Sequence, residues 1–515
     1  MTAWLATILI FLPLAGALVV WLLPVGRFAV PIALLVALAE VGFWINALTK
    51  MDFEGTGRTP SFDQHTTWFS DLHVSYHVGF YAFSFWLSGL AVVVMAAAIA
   101  YGFWVDRDRP RAYFGLMLFL TAAVVGVFAA QDLLLFYVFF EAMMIPLYVL
   151  IGVWGGPGRL GATVNFVIYT MAGSLLMLAA VIAFGLSKHS FDLVSTGTSG
   201  SRWVFLGFLA AFAVKAPLFP LHGWLPDAYR ESPPEVSAVL SGLISKAAVF
   251  GFIRICFGKL PGPFHDFRHV VLALAVVGLI YGSLLAFRAP DIRGVIAYSS
   301  LAQMGLITIG IFAASSSGLS GAVLQSVNHG LISASLFLLA GTIERRTSTG
   351  SLDRLGGMAR GRPALATLLM VTGVIALAVP GSSAFAGEFL ILLGVFGTGW
   401  GWSVAGAAGI VLAAMYMLRL ISGVLHEEPG PAVSEAALDL RPAELGILVP
   451  LVGCLLALSA WPAAISGNVL GITPRSSPLR ELNPVRLDDE PPEGRMDFVK
   501  PRHGSDALTI IKGGQ

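Results

Sequence analysis

The sequence predicts an all-α polytopic membrane protein of about fourteen transmembrane helices. Three observations carry this: hydrophobic residues make up 57% of the 515 positions against 12% charged, mean hydropathy is +0.81, and apolar runs of roughly 20 residues follow one another almost end to end. A soluble globular protein is excluded. The runs lie at about 4–24, 28–48, 82–105, 112–130, 133–154, 162–186, 203–221, 233–257, 269–288, 294–313, 320–343, 364–396, 400–422 and 444–466. The first lacks a basic leader and a small-residue cleavage site, so it reads as a retained helix. Residues 49–81, with Asp52, Glu54, His65, His73 and His77, form the longest connection. They read as an exposed polar loop on the outer side, and no metal site is assigned to its three histidines. The tail, 472–515, is rich in Pro and mixed charge and reads as a mobile extension.

Two runs depart from the rest, each interrupted by Pro or Gly around a lone ionisable residue. One is FAVKAPLFPLHGWLPDA from Phe212, with Lys215; the other is PGSSAFAGEFL from Pro380, with Glu388. Proline removes a backbone bond, and broken backbone at membrane depth is tolerated only where protein or a water-filled cavity satisfies the freed groups. Paired broken helices point to inverted repeats. The expected units are therefore residues 1–111 with helices 1–3, a first repeat of helices 4–8 over 112–257, a second of helices 9–13 over 269–422, a last helix at 444–466, and the tail.

Basic residues set the expected orientation. Loops after odd-numbered helices hold Arg27, Arg107, Arg109, Arg111, Arg159, Arg230, Arg288, Arg293 and most of the Arg345 to Arg362 cluster; loops after even-numbered helices hold chiefly Lys50, Arg58, Lys188, Arg202, Lys259 and Arg268. The positive-inside rule makes the first set cytoplasmic and puts both termini outside. Overall charge is balanced, 31 basic against 30 acidic residues, which argues against nucleic acid as a partner. Cys256 and Cys454 are the two cysteines, too few to hold zinc or an iron–sulfur cluster. Redox chemistry is expected on other chains.

The deep ionisable residues carry the functional reading. Glu141 is the single charge between Leu133 and Gly158, about 13 Å of helix beyond Asp132. Lys215 is the single charge from Trp203 to Pro226, Lys246 lies mid-span, and Glu388 stands alone between Arg362 and Arg419. From Gly294 to Ile343 there is no Asp, Glu, Lys or Arg, and His329 is the titratable group of interest. A charge at the bilayer centre costs at least about 2.5–3.5 kcal/mol, so five such groups point to function, while a buried Glu141–Lys215 pair that only locks two helices is the bland alternative. These residue types suit proton transfer: a lysine in an apolar pocket releases its proton when a nearby carboxylate moves or is neutralised. His222, beside a helix break, reads equally as a cap, a relay member or a water ligand. Asp132, His222 and Tyr298 all stand as candidates for the uptake path.

Five long motifs, in order, resemble one family. QDLLLFYVFFEAMMIPLYVLIGVWGG from Gln131, FAVKAPLFPLHGWLPDAYRESPPEVSAVLSGLISKAAVFGF from Phe212, DIRGVIAYSSLAQMGL from Asp291, NHGLISASLFLLAGTIERR from Asn328 and PGSSAFAGEFLILLG from Pro380 are similar to the antiporter-like membrane subunits of respiratory complex I, most of all subunit M. The similarity runs to about residue 465. Sibling subunits generally carry lysine where this chain has Glu388, and the long lateral helix of subunit L is missing. The resemblance implies a proton-pumping module with Glu141 and Lys215 as coupling pair, Lys246 as central lysine, His329 as relay and Glu388 as terminal carboxylate. Many members have histidine at Gln303; an amide orients water but takes up no proton near neutral pH.

The expected function is thus a non-redox, proton-translocating subunit of an NADH:quinone oxidoreductase in a bacterial inner membrane, beside L-type and N-type subunits. NADH, FMN, iron–sulfur clusters and quinone are expected on other subunits, with no cofactor on this chain. The rivals are a multisubunit cation/proton antiporter, the matching subunit of a membrane-bound hydrogenase or ferredoxin-driven complex, and a structural subunit with a dead channel.

Overall fold

The structure, a computed structural model, describes residues 4–23, 26–53, 59–426, 428–434 and 438–467. The expected tail, 472–515, lies outside them. Twelve helical spans among the described residues are long and apolar enough to cross a membrane. They include α1 (Leu5–Leu22), α2 (Ala29–Leu48), α3 (Ala82–Val105) and α4 (Pro110–Ala129). Next comes Leu133–Trp154, made of α5 (Leu133–Ala142) and α6 (Met144–Trp154). Pro146 explains that joint: it lacks an N–H for the Ala142 carbonyl and its ring crowds that oxygen, so α5 ends at Ala142, one residue past Glu141.

After α7 (Arg159–Lys188), two of the fourteen expected spans prove to be interrupted rather than single crossing helices. The run at 203–221 stops as α8 (Arg202–Lys215), because Pro217 disfavours helical backbone at Ala216. The chain then turns into the short α9 (Leu225–Glu231). Trp224 Nε1 donates to the freed Val214 carbonyl at 2.9 Å, which is how the break is tolerated. The run at 364–396 divides into α15 (Pro363–Ala376) and α16 (Ser383–Phe396). Between them stand Pro380 and Gly381, the latter at φ +96°, a conformation that favours glycine. Ser382 restarts the helix by accepting from the Phe385 N–H at 3.2 Å.

The span at 233–257 is also irregular: α10 (Pro234–Val239) and α11 (Ser245–Gly251) are separated by a π-helical turn, Leu240–Ile244, and followed by another, Phe252–Phe257. The remaining crossing helices are α12 (Pro261–Arg288), α13 (Ile292–Phe312), α14 (Ser316–Thr347), α17 (Trp400–Ile421) and α18 (Pro442–Ala460). Burial separates a centre from a rim. The 234–257 span and α14 are wholly enclosed by other helices, whereas α2 buries 28% of its apolar window, so charges on the first two see protein rather than lipid.

Residues 49–81 correct the expectation of an exposed polar loop. They contain an antiparallel hairpin, β1 (Ser61–Phe69) and β2 (Val74–Phe80), with His65 opposite His77. The inner strand reads Val74, His77, Val78 and Phe80 as buried, because it packs on the end of the bundle near α4 and α5. A polar sequence was compatible with a strand here because its hydrogen-bonding side chains find partners, as His77 does with Asp63 and Asp192.

Candidate functional site

The centre is built where α11 meets α14. The π-helical turn widens the helix one turn before Lys246, and π-turns of this kind free backbone carbonyls. Lys246 Nζ uses one, donating to the Ser241 carbonyl at 2.8 Å and also to Ser245 Oγ at 3.2 Å. Its third contact is His329 Nδ1 at 2.6 Å. The helices approach this closely because both faces are glycine: a Cβ on Gly330 would sit 2.9 Å from the Gly242 carbonyl. An ammonium and an imidazolium are both pure donors, so at this distance the pair holds one proton fewer than its two sites would when fully protonated. His329 Nε2, on the far side of the ring, is buried and has no hydrogen-bond partner among the described residues.

His329 faces the second half of the site. Gln325 lies four residues earlier on α14 and therefore one turn away on the same face, about 5–6 Å between Cβ atoms. Gln325 Nε2 donates to Gln303 Oε1 at 2.9 Å and to Glu388 Oε1 at 3.3 Å, and Gln303 Nε2 donates to Glu388 Oε1 at 3.1 Å. Gly387 makes room for this, since a Cβ there would lie 2.7 Å from Gln325 Oε1. Gln303, Gln325, His329, Ser299 and Tyr416 line a cavity with about 20 Å³ of water-accessible volume, enough for a water at the ~10–15 Å³ one requires. Glu388 Oε2 and Gln325 Oε1 are buried without hydrogen-bond partners, the kind of atoms that bound water satisfies.

Among the described residues no ion pair joins the side chains of Glu141 and Lys215, so the bland alternative of a pair that locks two helices is not what the geometry shows. Lys215 Nζ instead donates to the Phe140 carbonyl at 3.3 Å and sits 4.0 Å from the Phe140 ring centroid. That carbonyl belongs to the residue directly before Glu141. Glu141 Oε1 is buried without a hydrogen-bond partner. Helix α8 packs against α11 through Phe212, whose ring covers Gly251; among the described residues no hydrogen bond joins Lys215 to Lys246.

The remaining candidates stand apart. Asp132 caps α5, accepting from the Leu134 and Leu135 N–H groups at 2.9 and 3.1 Å and from Ser75 N and Oγ at 3.0 and 3.2 Å. His222 packs beside Phe219 and Tyr281, with Nδ1 buried and unpartnered. The Tyr298 ring lies 5.8 Å from the Arg230 guanidinium at the arginine-rich end. Sequence reasoning missed Gln325, whose i−4 spacing from His329 was the available signal. It also missed Glu40 on α2, 1% exposed with neither carboxylate oxygen hydrogen-bonded, and Glu235, held by Arg107 Nε at 2.6 Å and Tyr113 Oη at 2.6 Å.

The model of a family described as "NADH:quinone oxidoreductase/Mrp antiporter, TM" matches residues 130–415, the stretch that carries Glu141, Lys215, Lys246, His329 and Glu388. NADH-quinone oxidoreductase subunit M of Rickettsia typhi is 34% identical over 472 residues, 89% of this chain and 96% of the relative. Subunit M of Rhodobacter capsulatus is 35% identical over 490 residues, 90% of this chain and 94% of that one. Among solved structures, a chain of respiratory complex I from Thermus thermophilus with bound NADH superposes with a TM-score of 0.83 at 29% identity, covering 93% of this chain and 99% of its own. The chain therefore belongs to the NADH:quinone oxidoreductase/Mrp antiporter family of transmembrane subunits, on its subunit M branch.

Proposed function

We propose that this chain translocates protons as a membrane subunit of a proton-pumping NADH:quinone oxidoreductase. The observation that carries the reading is the 2.6 Å contact between Lys246 and His329 on two enclosed helices, with Gln325, one turn earlier on α14 and lining the same cavity as His329, bonded to Glu388. Lys215 and Glu141 form the input: movement of the unpaired Glu141 carboxylate toward or away from Lys215 changes how strongly the lysine holds its proton. The proton passes to the Lys246–His329 unit, then by bound water to Glu388, which releases it. Each proton moved against 100 mV requires about 2.3 kcal/mol, within the range that rearranging buried charges supplies.

The distribution of basic residues supports a cytoplasmic position for the Arg107, Arg230, Arg293 and Arg346 end in a bacterial inner membrane, with the hairpin end and both termini outside. Neighbouring L-type and N-type subunits would transmit the charge rearrangement, and NADH, FMN, iron–sulfur clusters and quinone would be handled by other subunits. The test is NADH-driven proton uptake by membrane vesicles with Glu141→Gln, alongside a check of assembly. An intact complex that no longer pumps supports the reading; normal pumping from an intact complex overturns it.

A further inference from the structure

At the hairpin end, away from the relay, the chain assembles a set of donor atoms that its transport role does not use. His65 and His77 are opposed across the hairpin with ring centroids 4.7 Å apart. Asp192, from the segment after α7, meets them there: ligand atoms of His65, His77 and Asp192 all lie within 4.8 Å of one another. Asp192 and His77 are held by further bonds. Asp192 Oδ1 accepts from the Val194 N–H at 2.8 Å and contacts His77 Nδ1 at 3.0 Å, while its Oδ2 accepts from Ser195 Oγ at 2.5 Å. On the opposite side of the ring, His77 Nε2 meets Asp63 Oδ1 at 2.7 Å. His77 and Asp192 are buried and His65 is exposed, so the cluster opens to solvent on one side.

We propose that His65, His77 and Asp192 form a binding site for a borderline divalent transition-metal ion, with zinc as the type. Two imidazole nitrogens and one carboxylate oxygen make a three-ligand set that zinc takes with a water as its fourth ligand, and it is poor for calcium or magnesium, which take oxygen ligands. The ion replaces the proton on His77 Nδ1, which leaves to solvent; the Nε2–H then donates to Asp63. An orienting carboxylate on the second nitrogen of a metal-bound histidine is the usual arrangement at such sites. Two of the ligands come from one hairpin and the third from a segment bonded to the start of α5, through Leu193 N to the Gln131 carbonyl and Leu133 N to the Phe191 carbonyl. A bound ion therefore clamps the hairpin to the end of the helix that carries Glu141. This inference is independent of the proton path.

The experiment uses the assembled complex, stripped with chelator, equilibrated with micromolar Zn²⁺ alone, passed through gel filtration and counted for retained zinc by mass spectrometry. Wild type is expected to retain one equivalent more than His65→Gln or His77→Gln. His73→Gln, at the hairpin tip outside the cluster, should keep the wild-type count. Asp63→Asn should keep the site with affinity reduced about 10–100-fold. Equal zinc in wild type and in His65→Gln, an exposed position whose change does not threaten folding, would overturn the site. Loss of the same equivalent in His73→Gln would overturn it too, as adventitious binding to the hairpin.

Discussion

The two broken helices hold their ionisable residues in opposite ways. Lys215 is the last residue of α8, where the negative end of the helix dipole favours a cation, and its side-chain contacts are a backbone carbonyl and an aromatic ring. Glu388 is in the second turn of α16, past the reach of the positive end, and is fixed instead by the two amides of Gln303 and Gln325 on neighbouring helices. A cation resting on a carbonyl and a ring face is free to change partners when Glu141 moves. A carboxylate held by two amides stays in place and changes only its protonation. In the proposed mechanism the first break therefore serves as a switch and the second as a fixed station, with Lys246 and His329 between them.

Substitutions test that contrast. The largest effect is expected from Lys215→Arg, which keeps the charge but cannot give up a proton near neutral pH. If the site is a switch, coupled proton uptake falls roughly tenfold or more, as far as with Lys215→Ala. If Arg retains full activity, Lys215 serves as a fixed charge and the contrast fails. Glu388→Gln keeps both amide neighbours but removes the titrating group, and a comparable loss of uptake in an assembled complex is expected. Gln303→Ala removes one of two donors to Glu388 Oε1. Loss of a hydrogen bond to a charged group, about 1.5–3 kcal/mol, offset in part by Gln325 and water, predicts a several-fold fall, whereas Gln303→His should pump near the wild-type rate. Glu40→Gln marks the other limit. Its carboxylate is buried on α2, away from the relay, and vesicle uptake should be unchanged.

Much of this was legible in the sequence because the bilayer makes it so. Apolar runs marked the helices, the paired Pro and Gly interruptions marked both breaks, and isolated charges in long apolar stretches marked Glu141, Lys215, Lys246 and Glu388. What stayed hidden depends on contacts between distant segments. The π-turn that brings Lys246 to His329 has no composition signal, and Gln325 is one polar residue among many on α14 until its neighbours are known. Nor does the sequence tell what the Lys215 ammonium rests on, which in the structure is the Phe140 carbonyl. The hairpin was hidden in a polar connection because its buried His77 is matched by carboxylates 14 and 115 residues away.

In the proposed function, protons cross this chain through Lys246 and His329. The most direct test is the proton-to-electron ratio of the assembled complex in sealed vesicles, measured for Lys246→Ala against Glu40→Gln. Lys246→Ala is expected to assemble but to lose NADH-driven proton uptake together with coupled NADH oxidation, while Glu40→Gln keeps the wild-type ratio. A wild-type ratio from an intact Lys246→Ala complex would contradict it.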